Sequence, residues 1–193
     1  MLTEQRIEYY VRILKDELVP AMGCTEPIAI AYASAKARAT LGAFPTSCDV
    51  AVSGNIIKNA KSVVVPHTGG MKGIEAAVVA GLVAGNEDAR LEVLSKVSDE
   101  DVDRMRSVIS TLPVNVKLFE SDYAFDILVT VYNGEDNASV RVTNRHTNIV
   151  SIMKNGHSLF TGEINEAIEI KKKDISIEEI VEFADTVDRK SVV

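Results

Sequence analysis

The chain has 193 residues, of which 46% are hydrophobic, and its 21 basic and 28 acidic residues give a formal net charge of -7. A chain of this size and apolar content can bury a substantial core, and its acidic balance argues against the positive surface that binds nucleic acids or anionic membranes. With two cysteines, no apolar run of membrane-spanning length and no signal-peptide pattern at the amino terminus, we expect a globular cytoplasmic protein with reduced thiols.

The first part of the sequence predicts mainly helices. Apolar residues recur at helical spacing from residue 3 to residue 19, and Pro20 ends the pattern. A second helix, rich in small side chains, is expected to begin near Thr25 and to end at a Gly42 cap. The remaining predicted elements of this part are extended segments at 48–53 and 62–66, a buried Ala-rich helix at 71–84, and polar helices at 87–96 and 99–110.

The hydrophobic pattern changes after Pro113. Apolar and polar residues alternate from residue 114 to residue 160, which predicts strands, and the Asn-Gly dipeptides at 133–134 and 155–156 are typical of two-residue hairpin turns. We therefore expect an antiparallel meander of about four strands. The predicted strands have the sequences VNVKLF, FDILVTVY, ASVRVTN and IVSIMK, and an amphipathic helix at 175–187 follows them.

Together these elements predict an α+β fold in which Ala-rich buried helices accompany the meander. The change at Pro113 separates a helical, motif-bearing region at 1–112 from a region of antiparallel sheet and terminal helices at 113–193. A second interpretation is that the two regions form one compact unit.

Cys24 lies in the segment Gly-Cys-Thr-Glu-Pro, immediately before the second predicted helix. The free amides and the dipole at a helix start stabilise a thiolate, which is the form that a nucleophile or a metal ligand requires. The alternative is a buried structural residue, the more frequent role of a lone cysteine. Cys48 has no partner at metal-ligand spacing and is expected to be structural. In any case, two thiols alone cannot complete a four-cysteine cluster site.

Two glycine-containing segments carry most of the other candidate residues. Residues 53–59, Ser-Gly-Asn-Ile-Ile-Lys-Asn, concentrate hydrogen-bonding groups that suit a small polar ligand, although turn and cap chemistry would explain them as well. Residues 66–70, Pro-His-Thr-Gly-Gly, precede an apolar helix whose amino terminus could receive a carboxylate. His67 is a candidate general acid or base or, equally, a residue that hydrogen-bonds its own loop. His146 ends a predicted strand where it could face a pocket, whereas His157 is expected to face water.

Three segments resemble the L-cysteine desulfidases, which are related to the alpha chain of bacterial iron–sulfur serine dehydratases. The segments are GCTEPIAIAYA at 23–33, SGNIIKNAKSVVVPHTGGMKGIEAA at 53–77 and HTNIVSIMKNG at 146–156. The resemblance implies a lyase that uses an oxygen-sensitive 4Fe-4S cluster in place of pyridoxal phosphate and converts L-cysteine to pyruvate, ammonia and sulfide. Cys24 then matches the amino-terminal one of three cluster ligands, and the other two belong to a carboxy-terminal half that this chain lacks.

The same resemblance implies roles for the polar segments. His67 is expected to be the base, and Lys58 is expected to meet the substrate carboxylate. The residues expected to surround the substrate are Ser53, Asn55, Thr68, Gly69 and Gly70. Without its complement, supplied in cis or in trans, the chain alone is expected to be inactive.

Several alternatives stay open on the sequence alone. L-serine could replace L-cysteine as substrate, because a hydroxyl and a thiol leaving group make similar demands on iron. The chain could also be a serine dehydratase subunit, or a non-catalytic module that binds a small amino acid without iron. Self-association into a homo-oligomer is open as well, whereas nucleic acid and membrane are not expected partners.

Overall fold

The computed structural model describes residues 2–18, 20–164 and 175–187. In chain order the helices and strands are α1 (Glu4–Glu17), α2 (Thr25–Leu41), β1 (Ser47–Val52), α3 (Gly54–Ala60), α4 (Gly73–Ala84), α5 (Asp99–Ile109), β2 (Val114–Leu118), β3 (Asp126–Asn133), β4 (Asp136–Thr143), β5 (Ile149–Lys154), β6 (His157–Thr161) and α6 (Ile177–Thr186). The predicted α+β class is confirmed. Among the described residues, none of the helices combines the length and apolar character that crossing a membrane requires.

The chain divides into two compact units, one formed by the terminal segments Met1–Pro20 and Glu166–Val193 and the other by Ala21–Asn165. In the terminal unit, the rings of Tyr10 and Phe183 lie 5.1 Å apart and form a small core between α1 and α6. Glu179 accepts hydrogen bonds from the Arg6 guanidinium at 2.6 Å and from the Tyr10 hydroxyl at 2.8 Å. An aromatic contact and an ion pair therefore fasten the two terminal helices to each other.

The second unit contains one mixed sheet with the strand order β2-β1-β3-β4-β5-β6. β1 and β2 are parallel, with Cys48 opposite Val114, whereas every other neighbouring pair is antiparallel. Strands from both sides of Pro113 share this sheet, because β1 pairs with both β2 and β3.

The antiparallel meander exists, but its members differ from the prediction. Residues 114–118 were expected to begin the meander and instead form β2 at an edge of the sheet, parallel to β1. The fourth strand of the meander is β6, which follows the last predicted strand through a turn in which Asn155 and Gly156 both have positive φ. That backbone conformation is the one that a type I′ hairpin turn requires. The sheet thus has six strands rather than about four among the described residues.

β6 occupies the other edge of the sheet. All five of its residues are exposed, including Leu159 at 61% and Phe160 at 46% of their full surface. The register shifts between Ile152 and Met153, where β5 pairs with β6, and such a bulge bends the strand. One edge of the sheet therefore shows apolar side chains to solvent.

One face of the central strands forms the core. Its members are fully or almost fully buried: Cys48, Val50, Val52, Ile127, Val129, Val131, Ala138, Val140 and Val142. α2 packs across this face, and α4 packs against α2. Nearly the whole surface of α2 is buried as a result, which explains why its sequence lacks an amphipathic pattern. Burial raises the pKa of the Cys48 thiol to about 12, so this cysteine is structural as expected.

The two central helices cross with their backbones in contact. A β-carbon at Gly81 of α4 would overlap the carbonyl oxygen of Ala31 in α2, and one at Gly85 would lie 2.6 Å from the Ala35 β-carbon. The guanidinium of Arg38 in α2 then donates to the carbonyls of Leu82, Val83 and Gly85 at the end of α4. Those carbonyls have no partner within the helix, so Arg38 ties the two helices together at that end.

Three predicted elements were wrong. Residues 62–66 form no strand and contribute one isolated bridge, from Val64 to Lys72, because the segment is short and ends at a proline that has no amide to donate. Residues 87–96 contain only a 3-10 turn at Arg90–Glu92. There Asn86 closes a loop by donating its amide to Val93 at 2.9 Å and accepting from the Asp88 amide at 3.2 Å. Residues 54–60, expected to be a glycine turn, form α3.

Substitution of Gly81 tests the backbone contact between α2 and α4. We expect Gly81→Ala to lower the free energy of unfolding by about 2 kcal/mol. The clash is with backbone, so the overpacking cost lies at the upper end of its usual range, roughly 3 kcal/mol, and the better helix propensity of alanine returns only about 1. Urea unfolding followed by circular dichroism measures the change. Gly54→Ala is the matched control, because the nearest atom to its β-carbon is a Leu118 methyl at 4.0 Å. Equal stability of both variants and the parent would contradict the close crossing.

Candidate functional site

Cys24 lies at the start of α2, where it is the residue that caps the helix and is partly exposed. The turn before it is tight. Gly23 has a φ of 129°, which side chains rarely adopt, and a β-carbon there would lie 3.0 Å from Cγ of Pro66. The loop that carries Pro66 and His67 therefore passes directly against the turn that presents the thiol.

Glu26 connects the thiol to α3. One oxygen of its carboxylate accepts hydrogen bonds from Sγ of Cys24 at 3.2 Å and from the Thr25 hydroxyl at 3.4 Å. The other oxygen accepts from the carboxamide of Asn59 at 3.2 Å. A thiol, a carboxylate and a carboxamide thus meet at the amino terminus of a buried helix. We call Cys24, Glu26, Asn59 and His146, which is described next, the α2 cluster.

His146 lies in the loop between β4 and β5. Its ring packs against that of Phe125 with the ring centres 4.5 Å apart, and its Nε2 is buried without a hydrogen-bond partner. The carboxylate of Glu26 acts electrostatically on this imidazole, and the imidazole acts in turn on Glu26. The fold therefore brings His146 close enough to Glu26 for their charges to interact, although 119 residues lie between the two in the sequence.

The ionisation of the cluster differs from the prediction at Cys24. Burial raises the pKa of this thiol, the hydrogen bond to Glu26 and the charge of that carboxylate raise it further, and the amide of Glu26 opposes the shift without reversing it. The pKa of the thiol therefore shifts in the direction opposite to the expected one, because burial and the neighbouring carboxylate act against the anion that the helix start favours.

Glu26 and His146 complete the electrostatic arrangement. Burial acts to raise the pKa of Glu26, but hydrogen bonds from Cys24, its own amide and Asn59, together with the charge of His146, hold it below its ordinary value. Burial also lowers the pKa of His146, and the carboxylate of Glu26 offsets part of that shift. Near neutral pH the cluster therefore contains a carboxylate, a protonated thiol and a neutral imidazole.

Two of the residues expected to bind substrate are occupied by internal hydrogen bonds. The hydroxyl of Ser53 donates to the carbonyl of Ala124 at 2.8 Å and accepts from the amide of Asp126 at 3.4 Å. The hydroxyl of Thr68 is buried and donates to the carbonyl of Val65 at 2.7 Å. Both side chains hold loops in place.

Asp126 itself is fully buried, and its carboxylate accepts from Arg141 at 3.0 and 2.7 Å. The amide of Asp126 also donates to the Ser53 hydroxyl, so this ion pair holds the start of β3 next to Ser53.

The other expected site residues are open to solvent. Asn55 and Lys58 are exposed on α3, and His67 is exposed with a φ of 58°. Of the two glycines, Gly69 packs so closely on α5 that a β-carbon would lie 2.9 Å from Val102, whereas Gly70 has no atom within 4 Å of that position. Lys58 is next to Asn59 and His67 is next to Pro66, so both adjoin residues that contact the Cys24 turn.

The donor set limits what metal chemistry the chain can support by itself. In the ranges that the structure describes, no group of three or more His, Cys, Asp or Glu side chains is close enough to hold a metal ion. Cys24 is free and partly exposed, which suits one ligand of an iron–sulfur cluster. The described residues therefore fit a single corner of such a cluster, and the remaining ligands would have to come from elsewhere.

Sequence comparison finds relatives that are named UPF0597 protein. That of Desulfitobacterium hafniense is 47% identical over 193 residues, which is 97% of this chain and 45% of the relative. Those of Lachnoclostridium phytofermentans and Finegoldia magna are both 44% identical, over 94% and 95% of this chain and 44% and 45% of the relative. The chain spans less than half the length of the curated relatives it matches. No family model matches the chain. No solved structure matches it.

These relatives correct the resemblance to the L-cysteine desulfidases. The relatives found carry the name UPF0597 protein, and L-cysteine desulfidase is the name of none of them. The family prediction was wrong. The segments that carried it are 23–33 at the start of α2, 53–77 from α3 to the first turn of α4, and 146–156 from the β4–β5 loop to the turn after β5. A resemblance in these segments indicates a similar backbone and does not identify the reaction.

The raised pKa of the Cys24 thiol predicts slow alkylation. The rate of reaction with iodoacetamide should rise with pH, and the midpoint of that rise should lie above the pKa of a free cysteine. Only the thiolate reacts, and burial and Glu26 disfavour the thiolate. Glu26→Gln should speed alkylation near pH 8, since it removes the negative charge beside the thiol. Mass spectrometry of the modified peptide gives both rates. Cys48 should stay unmodified in the folded chain, and a slower Glu26→Gln variant would contradict the coupling.

The backbone of His67 allows a second prediction. A non-glycine residue with this φ is strained by roughly 1–2 kcal/mol, and glycine removes that strain. Glycine also gives the unfolded chain more conformational freedom, which costs the variant about 0.5–1 kcal/mol of stability. His67→Gly should therefore raise the free energy of unfolding by about 0.5–1 kcal/mol in urea titrations. His157→Gly, in a strand with ordinary φ, should lower it instead. A destabilised His67→Gly variant would show that the imidazole makes contacts that hold the loop.

Proposed function

We propose that this chain is the amino-terminal part of an iron–sulfur-dependent lyase that eliminates sulfide from L-cysteine to give pyruvate and ammonia. The observation that carries the proposal is the α2 cluster: a free thiol at the start of a buried helix, hydrogen-bonded to a carboxylate and near a neutral imidazole. Such an elimination needs a metal ligand and groups that accept protons, and the α2 cluster contains both kinds of group.

Cys24 is the residue that would hold the cluster. When bound, the cluster would supply a Lewis-acidic iron for the leaving sulfur, and pyridoxal phosphate has no part in the proposal. Glu26 has a separate task. Its carboxylate already accepts the hydrogen bond of the Cys24 thiol, so it is placed to receive the proton that ligation displaces.

The exposed residues on either side of the cluster suit the substrate. Lys58, in the last turn of α3, presents an ammonium group that can meet the substrate carboxylate. His67 stands in the loop against Gly23 and stays our candidate for removal of the α-proton. Asn55, Gly69 and Gly70 stay candidates for the lining of the substrate site. Ser53 and Thr68 would act through the loops that they hold.

The complete activity would need the region that the relatives have and this chain does not, in cis or in trans. L-serine is the alternative substrate, since its dehydration would use the same groups. A non-catalytic module that binds amino acids is the other candidate, and in it the Cys24 thiol would stay protonated. Both cysteines are free, which agrees with a reducing cytoplasmic location, and a homo-oligomer is compatible with the proposal.

Anaerobic reconstitution tests the proposal. The chain, completed by the region present in its relatives, is loaded with iron and sulfide and assayed for cluster absorbance and for sulfide released from L-cysteine. Cys24→Ala should lose at least nine-tenths of both signals, on the order of a tenfold loss or more, because one of few cluster ligands is gone. Cys48→Ala should keep them.

L-serine with pyruvate detection is run beside L-cysteine and identifies the preferred leaving group. Full activity without iron, or a cluster that forms equally well in Cys24→Ala, would remove the lyase proposal. Amino-acid binding without any metal uptake would favour the binding module instead.

A further inference from the structure

The imidazole of His146 has a buried nitrogen that no described residue pairs with. Its Nε2 is the one buried side-chain nitrogen or oxygen atom without a hydrogen-bond partner in the part of the chain that the structure describes. A buried polar atom in this state has lost its water and gained no partner, and nearly all such atoms in proteins are paired. A ligand that supplies the missing partner would account for the atom.

The loop holds the ring in a defined place. Asn148 donates its carboxamide to the carbonyl of Thr143 at 3.1 Å and its amide to the carbonyl of Arg145 at 3.1 Å, which closes the loop on itself. Phe125 packs against the ring with an angle of 59° between the two planes. The unpartnered nitrogen is therefore a feature of an ordered loop.

The surroundings select the chemistry of the ligand. The Glu26 carboxylate acts on this imidazole electrostatically, and burial of the ring disfavours its charged form. The inference takes the tautomer that carries its proton on Nδ1, in which Nε2 is a hydrogen-bond acceptor. An acceptor beside a carboxylate favours a group that is positively charged and rich in donors.

We infer that His146 contacts the ligand directly and that its Nε2 accepts a hydrogen bond from the α-ammonium group of a bound amino acid, with Glu26 supplying the opposing charge. The inference deepens the proposed function and, as a statement about a lyase substrate, rests on it. It divides the amino acid between two sides: the ammonium group faces the α2 cluster, and the carboxylate faces Lys58 on α3. His67 and His157 are exposed and lack an orphaned buried nitrogen.

Two small ligands of nearly equal shape test the inference. L-alanine has an ammonium group where L-lactate has a hydroxyl, and neither has a leaving group. The three histidines are assigned by NMR from His67→Gln, His146→Gln and His157→Gln, and each ligand is titrated into this chain and into the completed protein. L-alanine should move the imidazole signals of His146 and leave those of His157 in place, whereas L-lactate at equal concentration should move neither.

The variants supply a second readout. His146→Gln should weaken L-alanine binding about tenfold or more, the effect of losing one charge-assisted hydrogen bond, while His157→Gln should bind as the parent does. His146→Asn replaces it if the first variant unfolds below the assay temperature. A response of His67 in place of His146, equal responses to both ligands, or no response of His146 in the completed protein would each overturn the inference.

The outcomes separate this inference from the proposed lyase. If the completed protein takes up no iron and releases no sulfide, yet His146 still responds to L-alanine and not to L-lactate, the lyase proposal fails and the binding role stands. If sulfide release depends on Cys24 but His146→Gln leaves both kcat and KM for L-cysteine unchanged, the lyase stands and His146 has no contact with the substrate.

Discussion

The backbone contact between α2 and α4 sets the position of the whole candidate site. A side chain at Gly81 would overlap the carbonyl oxygen of Ala31, so the two helices approach as closely as they do because that side chain is missing. α2 is thereby wedged between α4 and the sheet, and Arg38 closes the far end of the contact. Since Cys24 and Glu26 stand on the first turn of α2, their place relative to the neighbouring loops follows from this packing.

Polar residues in the unit divide into those that hold loops and those that stay available. The Asp126 and Arg141 pair, the Ser53 hydroxyl and the Thr68 hydroxyl are satisfied within the chain. The unsatisfied nitrogen of His146 stands out against that background. Among the buried side chains that the structure describes, one open nitrogen beside satisfied neighbours has the preorganisation that ligand recognition needs.

The sequence predicted those parts of the fold that depend on local pattern. α2 has the expected start and ends at Gly42, and the Asn155-Gly156 turn joins two strands of the meander. The sequence did not predict the parallel pairing of β2 with β1. The two strands are 61 residues apart, and no local pattern indicates which strand β2 pairs with. α3 was missed because a short helix that opens with a glycine has weak propensity.

The site was predictable to a similar degree. The place of Cys24 at a helix start follows from the Thr-Glu-Pro sequence after it, whereas its raised pKa depends on burial and on which way the Glu26 side chain turns. Both are tertiary properties. Glu26 carried a signal that could have been used, since an acidic residue in the first helical turn two positions after a cysteine lies within reach of the thiol. The orphaned nitrogen of His146 has no counterpart in the sequence pattern.

β6 has a practical consequence for the isolated polypeptide. Among the described residues no strand pairs with its outer edge, beside which Leu159 and Phe160 have exposed side chains, and the strand contains no proline or charged residue. Such an edge is a template on which another extended segment can add. A lysine at residue 159 would discourage that growth without touching the core or the thiol-bearing helix.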